Sequence, residues 1–246
     1  MHDIVIDNIS KSFGAVKVFD GFSAVLQAGR IYRLTAPSGA GKTTLLRMLM
    51  KLEKPDGGSI RGIPKGISAV FQEDRLLEEL SIYDNIAIAA DMPMRSDKFN
   101  RHTAKARGKE LLMRRDAHGS QSGCRDAHGS ENAYAVNVRQ GSSDVYAADA
   151  QKDRIMTSLT ELGLAEYADR PVMELSGGMK RRAALIRAML HASELVLLDE
   201  PFTGLDDEAR SRAARYLLDT LNGRTCVIAS HIIDPDIEAC SELIDI

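Results

Sequence analysis

The chain is poor in cysteine, in long apolar runs and in charge of one sign, and each shortage excludes a class of protein. Its three cysteines among 246 residues are too few and too scattered for a disulfide framework or a zinc site, which favours a reducing compartment. No apolar run reaches the length that a membrane-spanning helix needs. A formal net charge of -3 gives no general attraction to nucleic acid, so we expect no nucleic-acid partner.

The start of the chain and its composition favour a globular domain. Residues 1–6 do not combine a basic region with an apolar stretch, so we expect no secretory signal. Hydrophobic residues make up 44% of the chain and charged residues 27%, which is ordinary for a soluble protein. A chain of this length can bury one sizeable core.

The most informative stretch is the glycine-rich segment that ends in Gly41-Lys42-Thr43. It follows a short apolar run, residues 31–35, that predicts a buried strand, and it precedes residues 44–50, which predict a helix. This arrangement is typical of a phosphate-binding loop, in which backbone N–H groups and the helix N-terminus face the phosphates. The predicted nucleotide-binding residues here are Ala36, Pro37, Ser38, Gly39, Ala40, Gly41, Lys42, Thr43 and Thr44.

Two residues of this loop carry the predicted chemistry. The Lys42 ammonium would reach the β- and γ-phosphates, and the Thr43 hydroxyl would ligate Mg²⁺. The strict pattern opens with glycine where this chain has Ala36, and alanine is the least damaging exchange unless the position needs a positive φ. A glycine-rich turn without a ligand is the alternative, which the position of Gly41-Lys42-Thr43 at the strand–helix junction disfavours.

Three further apolar runs predict buried strands whose last residues are followed by polar groups. In chain order, these groups are Gln72, the pair Asp199 and Glu200, and His231. Apolar runs of this kind are typical of central strands in a parallel sheet, with the polar groups at the carboxyl edge. Residues 4–9 and 18–26 predict shorter strands that pair antiparallel. The fold class is therefore α/β.

Residues 96–150 differ in composition from the rest of the chain. A basic stretch, residues 98–115, leads into the hexapeptide Arg-Asp-Ala-His-Gly-Ser at 115–120, which recurs at 125–130. The segment is rich in glycine and serine and poor in large apolar residues, so it predicts a disordered linker. Its histidines and aspartates are a metal-site alternative, although nothing in the segment would preorganise them. We expect order to return near Gln151, where an amphipathic helix closed by Gly163 begins.

Six motifs, taken in order, resemble the nucleotide-binding subunits of ATP-binding cassette (ABC) transporters. They are Ala36 to Thr43, Gln72, Leu175 to Met179, Leu198 to Pro201, Gly204 to Asp206, and His231. The resemblance covers nearly the whole chain except residues 96–150. It implies a P-loop NTPase (RecA-like) core with a parallel central sheet, an antiparallel β subdomain and an inserted α-helical subdomain. The implied single domain spans 1–246, with the nucleotide-binding core at 1–72 and 190–246 and the helical subdomain at 73–189.

The resemblance assigns roles around one bound nucleotide. Phe13 would stack on adenine, which an aromatic face can do without base-specific hydrogen bonds. The alternative is that Phe13 is a core residue at the end of a strand. The implied Mg²⁺ ligands are Thr43, Gln72 and Asp199, and the implied catalytic residues are Glu200, His231, Gln72 and Lys42. Glu200 would be the general base, and His231 would contact the γ-phosphate.

A second anion site is implied at Ser176, Gly177 and Gly178, which would bind the nucleotide of the opposite subunit together with Asp206. The Ser-Gly-Gly turn opens a helix, whose free amides attract anions. Two such sites on one chain imply a head-to-tail dimer closed by ATP. Met179 stands where the family usually has glutamine, so one polar contact near this site is missing.

The resemblance also implies the cofactors and partners. ATP and Mg²⁺ would be bound, and the dimer partner would be a second copy or a homologous ATPase subunit. An integral membrane permease and, for an importer, a substrate-binding protein would complete a transporter at the cytoplasmic face of the plasma membrane. Residues 71–77 look like those of importers for nitrate, sulfonates and taurine, which favours import of a small solute. The alternative is a soluble ABC ATPase that acts as an assembly or regulatory clamp.

Overall fold

A computed structural model describes residues 2–37, 39–90 and 141–246, with side chains from residue 149 onward in the last range. Ser38, the basic stretch and the hexapeptide repeat lie outside the described residues. The helix predicted from Gln151 instead begins at Gly141, so the end of the predicted linker is helical. The part of that prediction covering residues 96–140 stays a prediction.

The described strands and helices alternate along much of the chain. The strands are β1 Ile4–Phe13, β2 Val16–Leu26, β3 Ile31–Thr35, β4 Gly57–Arg61, β5 Ile67–Val70, β6 Leu195–Asp199, β7 Thr225–Ala229 and β8 Glu242–Asp245. The helices are α1 Lys42–Leu49, α2 Ile82–Ala89, α3 Gly141–Glu161, α4 Gly177–Leu190, α5 Asp207–Leu221 and α6 Pro235–Cys240. Short 3₁₀ turns lie at Ala165–Tyr167 and Val172–Glu174.

The antiparallel sheet has the strand order β2-β1-β4. Strands β1 and β2 pair with Ile4 opposite Leu26, which confirms the predicted antiparallel connection. Strand β4 was not predicted from the sequence. Its glycine-rich start has no alternating apolar pattern that would predict a strand. The strand forms because it pairs with β1, where Ile60 lies opposite Ile6.

The central sheet has the order β5-β6-β7-β3-β8, and each neighbouring pair is parallel. All five residues of β6 and of β7 are buried, as expected for central parallel strands covered on both faces. Along β6, Leu195 and Leu197 pack into one core cluster, whereas Val196 and Leu198 pack into the other. This alternation follows from the two-residue repeat of a strand.

The two core clusters lie on opposite faces of the central sheet. One cluster contains residues of β1, β2 and α1, such as Ile9 and Leu46. The other contains residues of α2, α3, α4 and α5, such as Ile86 and Ile155. The parallel sheet, the antiparallel sheet and the helices thus agree with the predicted P-loop NTPase architecture.

Two helix starts follow the local sequence closely. Ser81 caps α2, because its side chain accepts a hydrogen bond from the Asp84 N–H at 3.0 Å. Ser176 caps α4 by accepting from the Met179 N–H at 3.3 Å. Such caps satisfy N–H groups that the first helical turn leaves without partners.

Candidate functional site

The strand order of the central sheet brings the predicted polar groups to one edge. Strands β5, β6, β7 and β3 are successive neighbours, and they are parallel, so their carboxyl ends lie side by side. Gln72 follows β5 closely, Asp199 ends β6, His231 follows β7 closely, and the phosphate loop follows β3. Ligand sites of open α/β sheets form at this kind of edge.

The phosphate loop turns sharply into α1. Ala40 N–H donates to the Pro37 carbonyl at 3.2 Å, and α1 begins at Lys42. The Lys42 ammonium is held at the loop, because it donates to the Ala36 carbonyl at 2.7 Å and to the Pro37 carbonyl at 3.4 Å. Ala36 is not among the described residues with a positive φ, so the exchange of glycine for alanine there introduces no backbone strain of that kind.

The Asp199 carboxylate is buried beside the phosphate loop. Its residue is 5% exposed, and the Thr43 hydroxyl is hydrogen-bonded to it. Burial raises the pKa of Asp199 above its ordinary value, and the neighbouring Glu200 carboxylate raises it further, whereas the Thr43 hydroxyl acts in the opposite direction. The end of β6 thus presents a carboxylate that is already oriented by a hydroxyl of the phosphate loop.

The Glu200 carboxylate is fixed by groups from two loops. Oε2 accepts from the Ser230 hydroxyl at 3.0 Å and from the Thr203 hydroxyl at 3.3 Å. The main chain of His231 also donates to this carboxylate, and the His231 Nε2 lies 3.7 Å from Oε1. Glu200 itself has a left-handed backbone with φ of 51°, a conformation that costs a non-glycine residue about 1–2 kcal/mol and is concentrated at functional sites.

These groups surround one cleft with a volume of about 530 Å³. Its described lining residues are Gly39, Gly41, Lys42, Thr43, Thr44, Gln72, Asp199, Glu200, Thr203, His231 and Ile232. The tertiary structure therefore brings together nine of the residues that the sequence singled out, from four separate strand ends. The cleft combines backbone amides, an ammonium group, hydroxyls and carboxylates, which suits a phosphorylated ligand and a hard cation.

Several predicted nucleotide-binding residues do not line this cleft. Ala36, Pro37 and Ala40 are absent from its described lining residues, although the first two hold the Lys42 ammonium. Phe13 ends β1 and is 49% exposed, which disfavours the alternative of a core residue. The Lys11 ammonium lies 5.2 Å from the centre of the Phe13 ring.

Ser176, Gly177 and Gly178, which we call the signature segment, are also absent from the described cleft lining of their own chain, as is Asp206. Asp206 caps α5 by accepting from the Ala209 N–H at 2.8 Å. A Cβ at Gly178 would come within 3.1 Å of the Gly204 carbonyl, so the start of α4 packs against the loop that leads to Asp206. Nothing stands within 4 Å of a Cβ built on Gly177.

Sequence reasoning missed four residues of this region. Thr203 and Ile232 line the cleft, Ser230 binds Glu200, and Arg181 binds the Gln72 main chain. Thr203 and Ser230 could have been found as hydroxyl residues next to predicted functional groups. Arg181 had no such signal, because it stands between Lys180 and Arg182 in a basic run that gives no reason to single it out.

The family described as ABC transporter matches residues 19–203 of the chain. The chain belongs to the ABC transporter family. This confirms the resemblance drawn from the six motifs. In the described part of the chain, no helix is both long and apolar enough for a membrane crossing.

Relatives within the ABC family include ATP-binding proteins of importers. The sulfate/thiosulfate import ATP-binding protein CysA of Pseudomonas aeruginosa is 30% identical over 224 residues, covering 87% of this chain and 54% of that protein. The protein of the same name from Escherichia coli (strain K12) is 32% identical over 225 residues, covering 87% and 48%. The chain thus spans about half the length of the curated relatives it matches.

Solved ABC structures share the fold. The ADP conformation of an ATP-binding cassette of an ABC transporter superposes with a TM-score of 0.64 at 22% identity, covering 100% of this chain and 87% of that one. At this identity the likeness bears on the fold alone, and it agrees with the ABC ATPase architecture.

Proposed function

We propose that this ABC chain hydrolyses ATP in the cleft and thereby drives import of a small solute through a membrane permease. One observation carries the proposal: the phosphate loop, the buried Asp199 and the Glu200 carboxylate meet at one edge of the parallel sheet. ATP-binding subunits of this family are ATPases that work with membrane permease components. The names of the two import relatives favour an oxyanion such as sulfate as cargo.

The nucleotide would bind through its phosphates and its base. The amides of the phosphate loop and the N-terminus of α1 would bind phosphate oxygens, and the Lys42 ammonium would exchange its bonds to the loop carbonyls for bonds to the β- and γ-phosphates. The exposed Phe13 ring would stack on adenine. The 530 Å³ of the cleft falls in the range of small-molecule sites, about 300–1,000 Å³.

The donor set fits Mg²⁺. Thr43, Gln72 and Asp199 offer a hydroxyl, an amide and a carboxylate oxygen, the hard ligands that Mg²⁺ prefers together with substrate phosphates. In the described residues, no group of three or more His, Cys, Asp or Glu side chains could hold a metal by itself. When bound, Mg²⁺ would neutralise charge on the β- and γ-phosphate oxygens.

Glu200 would act on the attacking water. As the water oxygen bonds to the γ-phosphorus and the bond to the β-phosphate oxygen breaks, the Glu200 carboxylate would accept a water proton. The hydroxyl of Ser230 and the main chain of His231 keep the carboxylate in place during this step. The His231 ring would contact the γ-phosphate and respond to its loss.

The signature segment would act on a second nucleotide. Since Ser176, Gly177, Gly178 and Asp206 lie outside the cleft lining of their own chain, we infer that they bind the nucleotide of a partner subunit, either a second copy or a homologous ATPase. Closure of such a head-to-tail dimer on ATP would move the permease. The assembly would sit at the cytoplasmic face of the plasma membrane, with a substrate-binding protein on the opposite side.

Size-exclusion chromatography of Glu200→Gln with and without Mg·ATP tests the proposal. Removing the general base should lower turnover by about 10²–10⁴-fold while ATP binding persists, so ATP should trap a dimer. Glu208→Gln is the matched control, because Glu208 is exposed on α5 and pairs with Arg212 at 3.6 Å. Its turnover and elution should equal those of the unmodified chain.

Two outcomes would change the assignment. A Glu200→Gln chain that stays monomeric with ATP and keeps its turnover would overturn the role of Glu200. An ATP-dependent dimer that co-purifies with no membrane protein from its native host would favour the alternative, a soluble ABC ATPase that acts as an assembly or regulatory clamp.

A further inference from the structure

Arg181 joins the helix of the signature segment to the loop that carries Gln72. The residue is 7% exposed and lies on α4. Its Nη1 donates to the Phe71 carbonyl at 2.7 Å, and its Nη2 donates to the Gln72 carbonyl at 2.6 Å. Nη1 also lies 3.1 Å from the Asp74 carboxylate. The planar guanidinium thus binds two successive carbonyls of one loop, a geometry that a lysine ammonium cannot reproduce.

A second arginine of the same helix holds the next part of the loop. Arg187 donates from Nη1 to the Arg75 carbonyl at 2.8 Å and from Nη2 to the Asp74 carbonyl at 3.0 Å. Two guanidinium groups of α4 therefore bind four carbonyls of this loop.

The loop needs these partners because it has no regular structure of its own. Residues 71–75 belong to neither a strand nor a helix, so their carbonyls do not have the partners that a sheet or a helix would supply. The loop also folds on itself, since Arg75 has a left-handed φ of 48° and its guanidinium lies 3.8 Å from the centre of the Phe71 ring. The main-chain position of Gln72 therefore depends on where α4 lies.

We propose that Arg181 is a positioning residue that couples the signature segment to Gln72. Helix α4 begins directly after Ser176 and carries Arg181 in its second turn, so a displacement of the helix start moves the guanidinium and, with it, the Gln72 main chain. This inference rests on the proposed function, in which Ser176 binds one nucleotide of the dimer and Gln72 serves the other. Each site would then report its state to the other through one buried side chain.

Hydrogen exchange of the nucleotide-free chain tests the contact without reference to activity. Arg181→Lys keeps the charge, but a lysine ammonium cannot bind both carbonyls as the guanidinium does. The loop should then be held less firmly, so the amides of residues 71–75 should exchange faster. Arg224→Lys is the matched control, because the Arg224 guanidinium also binds main-chain carbonyls, those of His191, Thr220 and Leu221, away from the cleft. Arg224→Lys should change hydrogen exchange only near His191, Thr220 and Leu221. Unchanged exchange at 71–75 in Arg181→Lys would overturn the proposal, whether or not the chain hydrolyses ATP.

A double-mutant cycle on steady-state ATPase kinetics tests the coupling. Arg181→Lys should lower kcat by about 10- to 100-fold, since small misplacements of catalytic groups have effects of this size, with little change in KM. Added to Gln72→Ala, it should lower kcat no further, because it acts through the same side chain. Any effect of Arg224→Lys on kcat should be the same with and without Gln72→Ala.

The cycle separates this inference from the proposed function. Multiplicative effects of Arg181→Lys and Gln72→Ala on kcat would overturn the coupling and leave the ATPase assignment intact. Absence of ATP hydrolysis by the unmodified chain, together with its permease, would overturn the proposed function and the coupling with it. The hydrogen-exchange result would still decide whether Arg181 holds the loop.

Discussion

The main-chain N–H of His231 donates to both carboxylate oxygens of Glu200, at 3.2 Å to Oε1 and 3.3 Å to Oε2. In return, the Glu200 N–H donates at 2.7 Å to the carbonyl of Ala229, which lies two residues before His231. Main-chain hydrogen bonds therefore link Glu200, which follows β6, to the end of β7, and each of the two segments donates to the other. The proposed general base and the proposed γ-phosphate contact form one unit.

The Ser230 hydroxyl should contribute to turnover through this unit. Ser230→Ala removes a donor that lies 3.0 Å from Oε2 of Glu200. A hydrogen bond to a charged group contributes about 1.5 kcal/mol or more, so kcat should fall about tenfold while KM stays nearly constant. Ser230→Thr keeps the hydroxyl and should keep most of the turnover. Steady-state ATPase kinetics check both variants, and a change confined to KM would contradict this role for Ser230.

Gly41 should tolerate a side chain far less than Gly39 does. Both residues have a positive φ, 112° and 83°, so alanine strains either backbone by about 1–2 kcal/mol. A Cβ on Gly41 would also come within 2.5 Å of Val18 Cγ1 and 2.9 Å of Phe19 Cζ, whereas nothing lies within 4 Å of one on Gly39. Overpacking adds about 1–3 kcal/mol, and this addition applies to Gly41→Ala alone.

Urea unfolding of the two glycine variants without nucleotide measures this difference. Gly41→Ala should have the lower midpoint of the two, with an unchanged m-value. Equal midpoints would mean that the hairpin of β1 and β2 moves aside at little cost, and that the packing of Phe19 does not set the shape of the phosphate loop.

The two described cysteines should differ sharply in reactivity. Cys226 is buried within β7 and Cys240 is exposed, and burial raises the pKa of both thiols, by far the more at Cys226. Because the thiolate is the reactive form, a disulfide reagent should titrate one thiol in folded Cys124→Ser and two after denaturation. Because its pKa is raised, the rate at Cys240 should keep rising at pH values where an ordinary thiol, with a pKa of about 8.5, is already almost fully ionised.

A further substitution assigns the reactive thiol. The folded double variant with Cys124→Ser and Cys240→Ser should show no fast reaction. Rapid modification of Cys226 in that variant would mean that the central sheet opens readily between β7 and its neighbours.

Local sequence was sufficient for the parts of the fold whose partners lie close along the chain. The caps at Ser81 and Ser176 bind N–H groups three residues away, so the capping residue and its helix start could be predicted together. The apolar runs of β6 and β7 indicated strands covered on both faces, because short continuous apolar runs are typical of central strands in a parallel sheet. Strand β4 escaped prediction because its partner in β1 lies about fifty residues earlier in the chain.

The sequence by itself determined the phosphate loop, the helix caps, the buried strands and the family to which the motifs belong. Only the tertiary structure decided that Gln72, Asp199, Glu200 and His231 share one cleft, since their neighbourhood follows from the order of strands in the sheet. It also decided the partners of Arg181, which lies 109 residues from Gln72 in the chain. The physical reason is reach: local patterns report interactions over a few residues, whereas these contacts arise where the folded chain returns to itself.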